Sequence, residues 1–583
     1  MTSSTQNQSV AYDDGWEAEE GIPRFDDPFI QKYLQGREAL IEEEKKKRHD
    51  IHFRNSSSPV AKEACRIVEH IRARELRNVW AKDVKSELGD EILYPGMMFR
   101  LARDRMETTD LWKIMQKMPK GALLHGHIEA MIDLDLLVDQ VLTVPGMYMA
   151  SSGPLVSEKE LQTNPLHFKY ISTLPVSSRY PTLWEKEYQP LTFLPVREVA
   201  AAFPSQGTEG FREWLKSRCT IAHEASLSHH HGIDAIWDIF GRTFQVVDSI
   251  LYYEPIFRAC LQHMLAELHA DGIRYAEFRL AFCFEFQKDQ CDTAEEDYIG
   301  FFEVFDEEIE KFKASDSGKG FYGARMIWTT MRSYSNQEIV ESMKQCILTK
   351  INFPDLVAGF DLVGQEDEGR PLVDLLPILF WFKKQCALEE VEIPFFFHAG
   401  ECLGDGDETD RNLYDAILLG TRRIGHAFSL YKHPLLIDLV KEKKILIECC
   451  PISNEVLRLT SSIMAHPLPA LLSRGVPVAL CNDDPAMLGH GKNGLAHDFC
   501  QVLYSLENTG LSGIATMAEN SIRWSCFEDQ SQAEWLKDIK DGITGNGLKA
   551  ARLKDWNVEF ERFCEWVVLE FGSEMALSAL EST

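Results

Sequence analysis

Leu356-Val357-Ala358-Gly359-Phe360-Asp361-Leu362-Val363 and Ile393-Pro394-Phe395-Phe396-Phe397-His398 are short, nearly continuous runs of apolar, β-branched and aromatic residues, with room between them for one helix. Runs of this length are too short for helices, and they lack the polar alternation of a half-exposed strand. They read as strands buried on both faces. Similar runs occur at 272–278, 324–329, 421–426, 444–448 and 476–481, each followed by room for a helix, and Gly121-Ala122-Leu123-Leu124-His125 precedes them. That makes eight. Parallel strands need crossover helices, and eight strand-helix units in series close into a (β/α)8 TIM barrel, an α/β fold. A doubly wound open sheet is the alternative.

Outside these units the pattern changes. Residues 1–28 are polar and acidic and read as a flexible tail. Residues 29–105 read as an N-terminal helical extension, with one helical stretch from Asp27-Pro28 to Arg48 and another from Ala61 to Leu88. Residues 106–583 are assigned to the barrel. Within them, residues 145–215 are rich in Pro, Ser, Thr and aromatics and read as a long irregular insertion after strand 1. The apolar stripes of 29–34 and 64–71 must be covered, either by the barrel or by a partner.

The 583 residues include 61 Lys+Arg and 91 Asp+Glu, a formal net charge of −30. Such a field disfavours nucleic acid and anionic membrane surfaces as partners. Residues 1–20 carry five acids and no apolar core of a secretory signal, and no stretch approaches a membrane span. The fourteen cysteines include no C-x-x-C frame, so a reduced, cytoplasmic location is expected. Without a signal, the sequons at Asn7 and Asn55 are taken as chance.

The chemistry gathers at strand ends, where barrel enzymes place their active sites. The first run ends in His125-Gly126-His127, the fifth in His398-Ala399-Gly400-Glu401, the sixth in Gly425-His426 and the eighth in Asn482-Asp483-Asp484-Pro485. Histidines one residue apart in an extended segment project to the same side, so His125 and His127 can share an ion. His398 and Asp483 complete a three-nitrogen, one-oxygen set suited to Zn2+ with a position open for water. Glu401 and His426 remain as proton handlers. Three competing motifs fail. His127-Ile128-Glu129 has no P-C-x-x-C to complete a cytidine-deaminase-type site. His223-Glu224-Ala225-Ser226-Leu227 has Leu where a zincin needs His. His229-His230-His231 reads as a solvated loop.

Together with Arg423-Ile424-Gly425-His426 and Glu448-Cys449-Cys450-Pro451-Ile452-Ser453-Asn454, these ordered motifs resemble the adenosine deaminase family of metal-dependent hydrolases. Met118 to His125, Gly359 to Asp367 and the long N-terminal region resemble its growth-factor-type branch. The resemblance runs from about Pro119 to Asp498. It implies one zinc ion held by His125, His127, His398 and Asp483, and Glu401 as the acid that protonates purine N1. His426 would orient or deprotonate the attacking water, Asp484 would bond N7 and the Gly364 backbone would face N3. The expected reaction turns adenosine, and 2′-deoxyadenosine, into inosine or its 2′-deoxy analogue and ammonia. The branch also dimerises through its N-terminal extension, so a homodimer is expected.

Two departures bear on this. In the branch an acid directly follows the second histidine, whereas here Ile128 follows and the acid is Glu129, where shorter members carry an Asp that meets the ribose 5′ side. The absence of a visible secretion signal departs from the branch's extracellular members. Two other functions stay open: deamination of 5′-AMP or another 6-aminopurine, with Arg179, Lys186, Arg197 or Arg212 meeting the phosphate, and an adenosine-binding or signalling protein with a weak site.

Overall fold

The computed structural model describes residues 16, 19–80, 94–172, 181–404, 406–491, 494–506 and 508–581, with side chains through 573. Most of the acidic tail, the end of the second helical stretch after Trp80 and Arg179 lie outside the described residues. The strands run β1 (Gly121–Leu123), β2 (Met147–Ser151), β3 (Leu166–Tyr170), β4 (Leu194–Pro195), β5 (Ile273–Ala281), β6 (Gly323–Met331), β7 (Val357–Val363), β8 (His398–Ala399), β9 (Arg423–His426), β10 (Leu446–Cys449) and β11 (Val478–Leu480).

All eight apolar runs read from the sequence overlap one of these strands, the fifth only at His398. β1, β5, β6 and β7 pair in parallel in that order, and so do β8, β9, β10 and β11. Single parallel bridges join the two sheets at both seams. At one, His127 N–H donates to Asp483 O at 3.1 Å and Asp483 N–H to His125 O at 3.2 Å. At the other, Phe360 N–H donates to Pro394 O at 2.9 Å and Phe396 N–H to Phe360 O at 3.0 Å. The eight strands therefore form one ring, and helices such as Ile299–Ala314, Asn336–Asn352 and Leu372–Leu388 link successive members outside it.

The insertion is more regular than its composition suggested. β2 pairs antiparallel with β3 and with β4. In β3, Leu166 and Phe168 are buried while His167 and Lys169 are exposed, the period of two that marks a half-buried strand. That signal was present in the sequence but lay among turn residues.

The two N-terminal stripes part company. Asp27 caps the helix Pro28–Lys45 by accepting from Phe29 N–H, and no residue of that helix is buried. Ser58 caps Pro59–Glu75 by accepting from Ala61 N–H, and this helix buries Ala61, Ala64, Ile67, Val68 and Ile71. They pack against the helices Gly510–Arg523 and Leu548–Glu581 of the same chain. The 64–71 stripe is thus covered by its own barrel, and only the first helix keeps a bare face. Among the described residues, no helix is long and apolar enough to cross a membrane.

Ile67→Ala removes three carbons from a closed interior and is expected to cost ~2–5 kcal/mol, whereas Lys62→Ala on the exposed face of the same helix stays within ~0.5 kcal/mol. Urea unfolding of both variants checks this. Equal losses would mean the helix is not docked.

Candidate active site

A cavity of about 680 Å³ opens at the C-terminal ends of the barrel strands. His127, Glu129, Gly364, His398, Glu401, His426, Asp483 and Asp484 all line it. His125, the remaining residue singled out in the sequence, is fully buried beside this cluster, its ring centre 4.6 Å from that of His398. The helix Ile233–Leu251 forms one wall with Trp237, Phe240, Phe244 and Asp248.

Local backbone geometry puts these groups in place. His426 and Asp483 adopt positive φ, 61° and 58°, a region that costs a non-glycine residue of order 1 kcal/mol or more and is held by surrounding structure. Gly425 leaves room for the His125 ring, since a Cβ there would lie 2.8 Å from its Cε1. Gly364, at φ 101°, turns the chain in a way side-chain-bearing residues resist. Glu366 accepts from Gly400 N–H at 3.0 Å and Glu401 N–H at 2.6 Å, which fixes the loop carrying Glu401.

Three candidate metal-ligating groups occur among the described residues: His125, His398, His426 and Asp483; His127, Asp483 and Asp484; and, on the surface, Asp133, His263 and Glu267. The first two share Asp483. His125 Nδ1 lies 2.8 Å from Glu448 Oε2, and His398 Nδ1 lies 2.6 Å from Asp361 Oδ2. Both carboxylates can only accept, so each ring carries its proton on Nδ1 and leaves Nε2 bare. His125 Nε2 and Asp483 Oδ1 then face each other at 3.2 Å, lone pair against lone pair, and neither has a hydrogen-bond partner. His127 Nε2 stands 3.4 Å from the same oxygen. A cation resolves that opposition, and tetrahedral bonds of about 2.0–2.1 Å place neighbouring ligands about 3.3 Å apart. The donor set fits Zn2+.

Charge divides the acids. Burial works against ionisation of Asp483, yet His426, His125 and His127 around it hold it well below the usual range. Burial pushes Glu401 well above its ordinary value, helped by Asp483 and Glu366. Burial and the Asp483 carboxylate do the same for Asp484. Burial raises Glu129 to about 7, and raises Asp248 together with the neighbouring Glu129. Asp483 is thus favoured as the carboxylate that meets a cation, while burial biases its neighbours toward the protonated, donating form.

Several residues that shape the site were not singled out in the sequence: Arg279, Asp361, Glu448, Asn454, His466, Trp237, Phe244 and Asp248. Arg279 N–H groups donate to Asp361 at 2.8 Å and to Glu448 at 2.7 Å, and Arg423 donates to Glu448 at 2.5 Å and to Glu277 at 2.6 Å, all without solvent exposure. A charge inside an otherwise apolar strand was the available signal. Conversely, neither His223 nor the 229–231 run falls in a candidate ligand group among the described residues.

The family described as Adenosine deaminase matches residues 222–542. Adenosine deaminase 2-A of Danio rerio is 32% identical over 445 residues, which cover 76% of this chain and 82% of that protein. Adenosine deaminase of Lutzomyia longipalpis is 32% identical over 450 residues, covering 75% and 81%. Adenosine deaminase 2 of Homo sapiens is 30% identical over 488 residues, covering 82% and 89%. The match takes in β5 through β11 and their rim residues, and with a metal-fitting donor set at the mouth of the barrel, the chain belongs to the adenosine deaminase family.

Proposed function

We propose that this protein is a zinc-dependent hydrolase that deaminates adenosine and 2′-deoxyadenosine to inosine or 2′-deoxyinosine and ammonia. The observation that carries the reading is one cavity holding a metal-fitting set and two buried acids whose pKa burial pushes well above the ordinary value, with no Lys or Arg among the described residues that line it. Adenosine deaminases at about 30% identity over most of the chain support it.

His125, His127, His398 and Asp483 would hold the ion. Zinc held there would supply Lewis acidity, lowering the pKa of water toward ~7. Attack at C6 breaks the purine's conjugation, so the ring needs a proton at N1. Glu401, whose pKa burial pushes well above the usual carboxylate range, supplies it. Asp484, pushed up in the same way, donates to N7, and the Gly364 backbone faces N3. His426 Nε2 stands 3.6 Å from Glu401 Oε1 and 3.7 Å from Asp483 Oδ2, between the acid and the ligand, where it directs the attacking water. Trp237 and Phe244 supply an apolar wall.

The cavity also bears on the 5′ side. Glu129 Oε2 and Asp248 Oδ1 are buried without a hydrogen-bond partner. They offer polar oxygens to a ribose hydroxyl, and the lining of the same cavity includes Asp234, Asp238 and Glu368, with no Lys or Arg among the described residues to meet a phosphate. The basic residues considered for AMP are used elsewhere: Arg197 donates to Leu142 O at 2.7 Å, and Arg212 pairs with Asp139. Lys186 does not line the cavity, and Arg179 lies outside the described residues. The fourteen unpaired cysteines suit a reducing, cytoplasmic setting.

We further propose a homodimer built on the helix Pro28–Lys45, where Phe29, Tyr33 and Leu40 are 83%, 71% and 72% exposed, beside Phe25 at 77%. Light scattering should return a dimer for the full chain and a monomer for Phe29→Ser/Tyr33→Ser; a monomeric full-length protein contradicts this.

Two kinetic and metal tests follow. Glu401→Gln should keep bound zinc and KM but lower kcat by at least ~10²–10⁴-fold, and wild-type protein should turn over adenosine far faster than AMP. An unchanged kcat, or an AMP preference, would overturn the assignment. Asp361→Asn, which removes the carboxylate behind His398, should weaken zinc affinity by ~10–100-fold in a chelator competition; unaltered affinity would place the ion elsewhere.

A further inference from the structure

His426 sits at the end of a chain of hydrogen bonds that starts on the backbone. Leu468 N–H lies 3.0 Å from His466 Nδ1, His466 Nε2 lies 3.0 Å from Asn454 Oδ1, and Asn454 Nδ2 lies 3.2 Å from His426 Nδ1. His426, Asn454 and His466 are all buried, and the Phe428 ring packs edge-on against His466 at 5.4 Å.

The direction of this chain has one solution. A backbone N–H can only donate, so His466 Nδ1 accepts and its proton is on Nε2. That N–H must meet an acceptor, which fixes the Asn454 amide with Oδ1 toward His466. Turning the amide over would leave His466 with acceptors at both nitrogens and no proton. Asn454 Nδ2 therefore donates, His426 Nδ1 accepts, and the His426 proton is on Nε2. Charging either ring would set N–H against N–H. Burial agrees for His466, whose pKa it drops to about 3.

We infer that Asn454 and His466 are positioning residues that lock His426 as a neutral imidazole with its proton on Nε2, aimed at Glu401 and Asp483. Locked in this way, His426 donates a hydrogen bond to the attacking water and does not take its proton. It is also unavailable as a ligand through Nε2. This separates it from His125 and His398, whose carboxylate partners Glu448 and Asp361 impose the opposite tautomer. The same residue type thus does two jobs in one site, selected by whether a carboxylate or an amide stands behind the ring. Neither Asn454 nor His466 lines the cavity, so their effect on turnover runs through His426.

The effect on turnover rests on the proposed deaminase reading, whereas the tautomer does not, so the two are read separately. In zinc-loaded protein with 15N-labelled histidine, two-bond nitrogen–proton correlations report which ring nitrogen carries the proton, and His426→Gln identifies the signal. The wild-type spectrum should show His426 protonated on Nε2 only. Asn454→Asp, of the same size, presents an acceptor and should move the proton to Nδ1, while lowering kcat for adenosine by about 10²–10³-fold at unchanged zinc content. His466→Leu should lower kcat more than His466→Gln, whose amide can still donate. A wild-type His426 protonated on Nδ1, or an Asn454→Asp protein with wild-type kcat, overturns the inference. Failure of wild-type protein to deaminate adenosine, with the tautomer as stated, instead overturns the proposed function alone.

Discussion

A buried chain of charges in the barrel interior organises this molecule. Glu277, Arg423, Glu448, Arg279 and Asp361 alternate in sign across β5, β9, β10 and β7, and none is exposed to solvent. Arg279 also donates to Leu124 O at 2.9 Å and to Phe396 O at 3.0 Å, tying β1 and the approach to β8 into the same knot. Such a network is a poor source of net stability, because desolvating five charges offsets most of their attraction. Removing any one member is costly, however, because it strands a buried opposite charge. The network therefore acts as a constraint on register, and two of its carboxylates, Glu448 and Asp361, continue directly into the site as the partners of His125 and His398.

The same arrangement settles the electrostatics above it. Arg279 and Arg423 hold Glu448 ionised despite its burial, and His398 and Arg279 do so for Asp361. Each can therefore fix the proton of a histidine on Nδ1, the nitrogen it faces, and leave Nε2 bare toward the site. The histidines around Asp483 hold its carboxyl well below the usual range, and its charge helps push Glu401 and Asp484 well above theirs. One carboxylate is thus suited to a cation and its neighbours are biased toward donating by position alone. Nucleoside chemistry needs that split, since N1 and N7 of a purine are acceptors and a cation needs anionic or bare-nitrogen partners.

The barrel was legible because its strands are apolar on both faces, and that pattern survives even where regular pairing is brief, as at His398–Ala399. The rim residues were legible because polar groups ended apolar runs. The interior charges were harder to place. Arg279 and Asp361 interrupt strands that otherwise read as buried, and only the tertiary structure shows that they meet one another rather than water. Asn454 stood inside a motif that was noticed, but its amide acquires meaning only through His466, a single histidine in a loop. Trp237 and Asp248 lie on a helix whose local pattern does not say that one side faces the cavity. The 64–71 stripe declared that it needed cover without declaring which surface supplies it, and it was the chain's own helices.

The central claim is that the buried charge network presents His125, His127, His398 and Asp483 to a single ion. Diffraction from a crystal of the zinc-loaded protein, collected on both sides of the zinc absorption edge, tests it most directly. The account predicts one strong anomalous peak per chain within about 2.0–2.2 Å of one nitrogen of each of the three histidines and one Asp483 oxygen. A peak bonded to His426 in place of His127, or lying only at Asp133, His263 and Glu267, would contradict it.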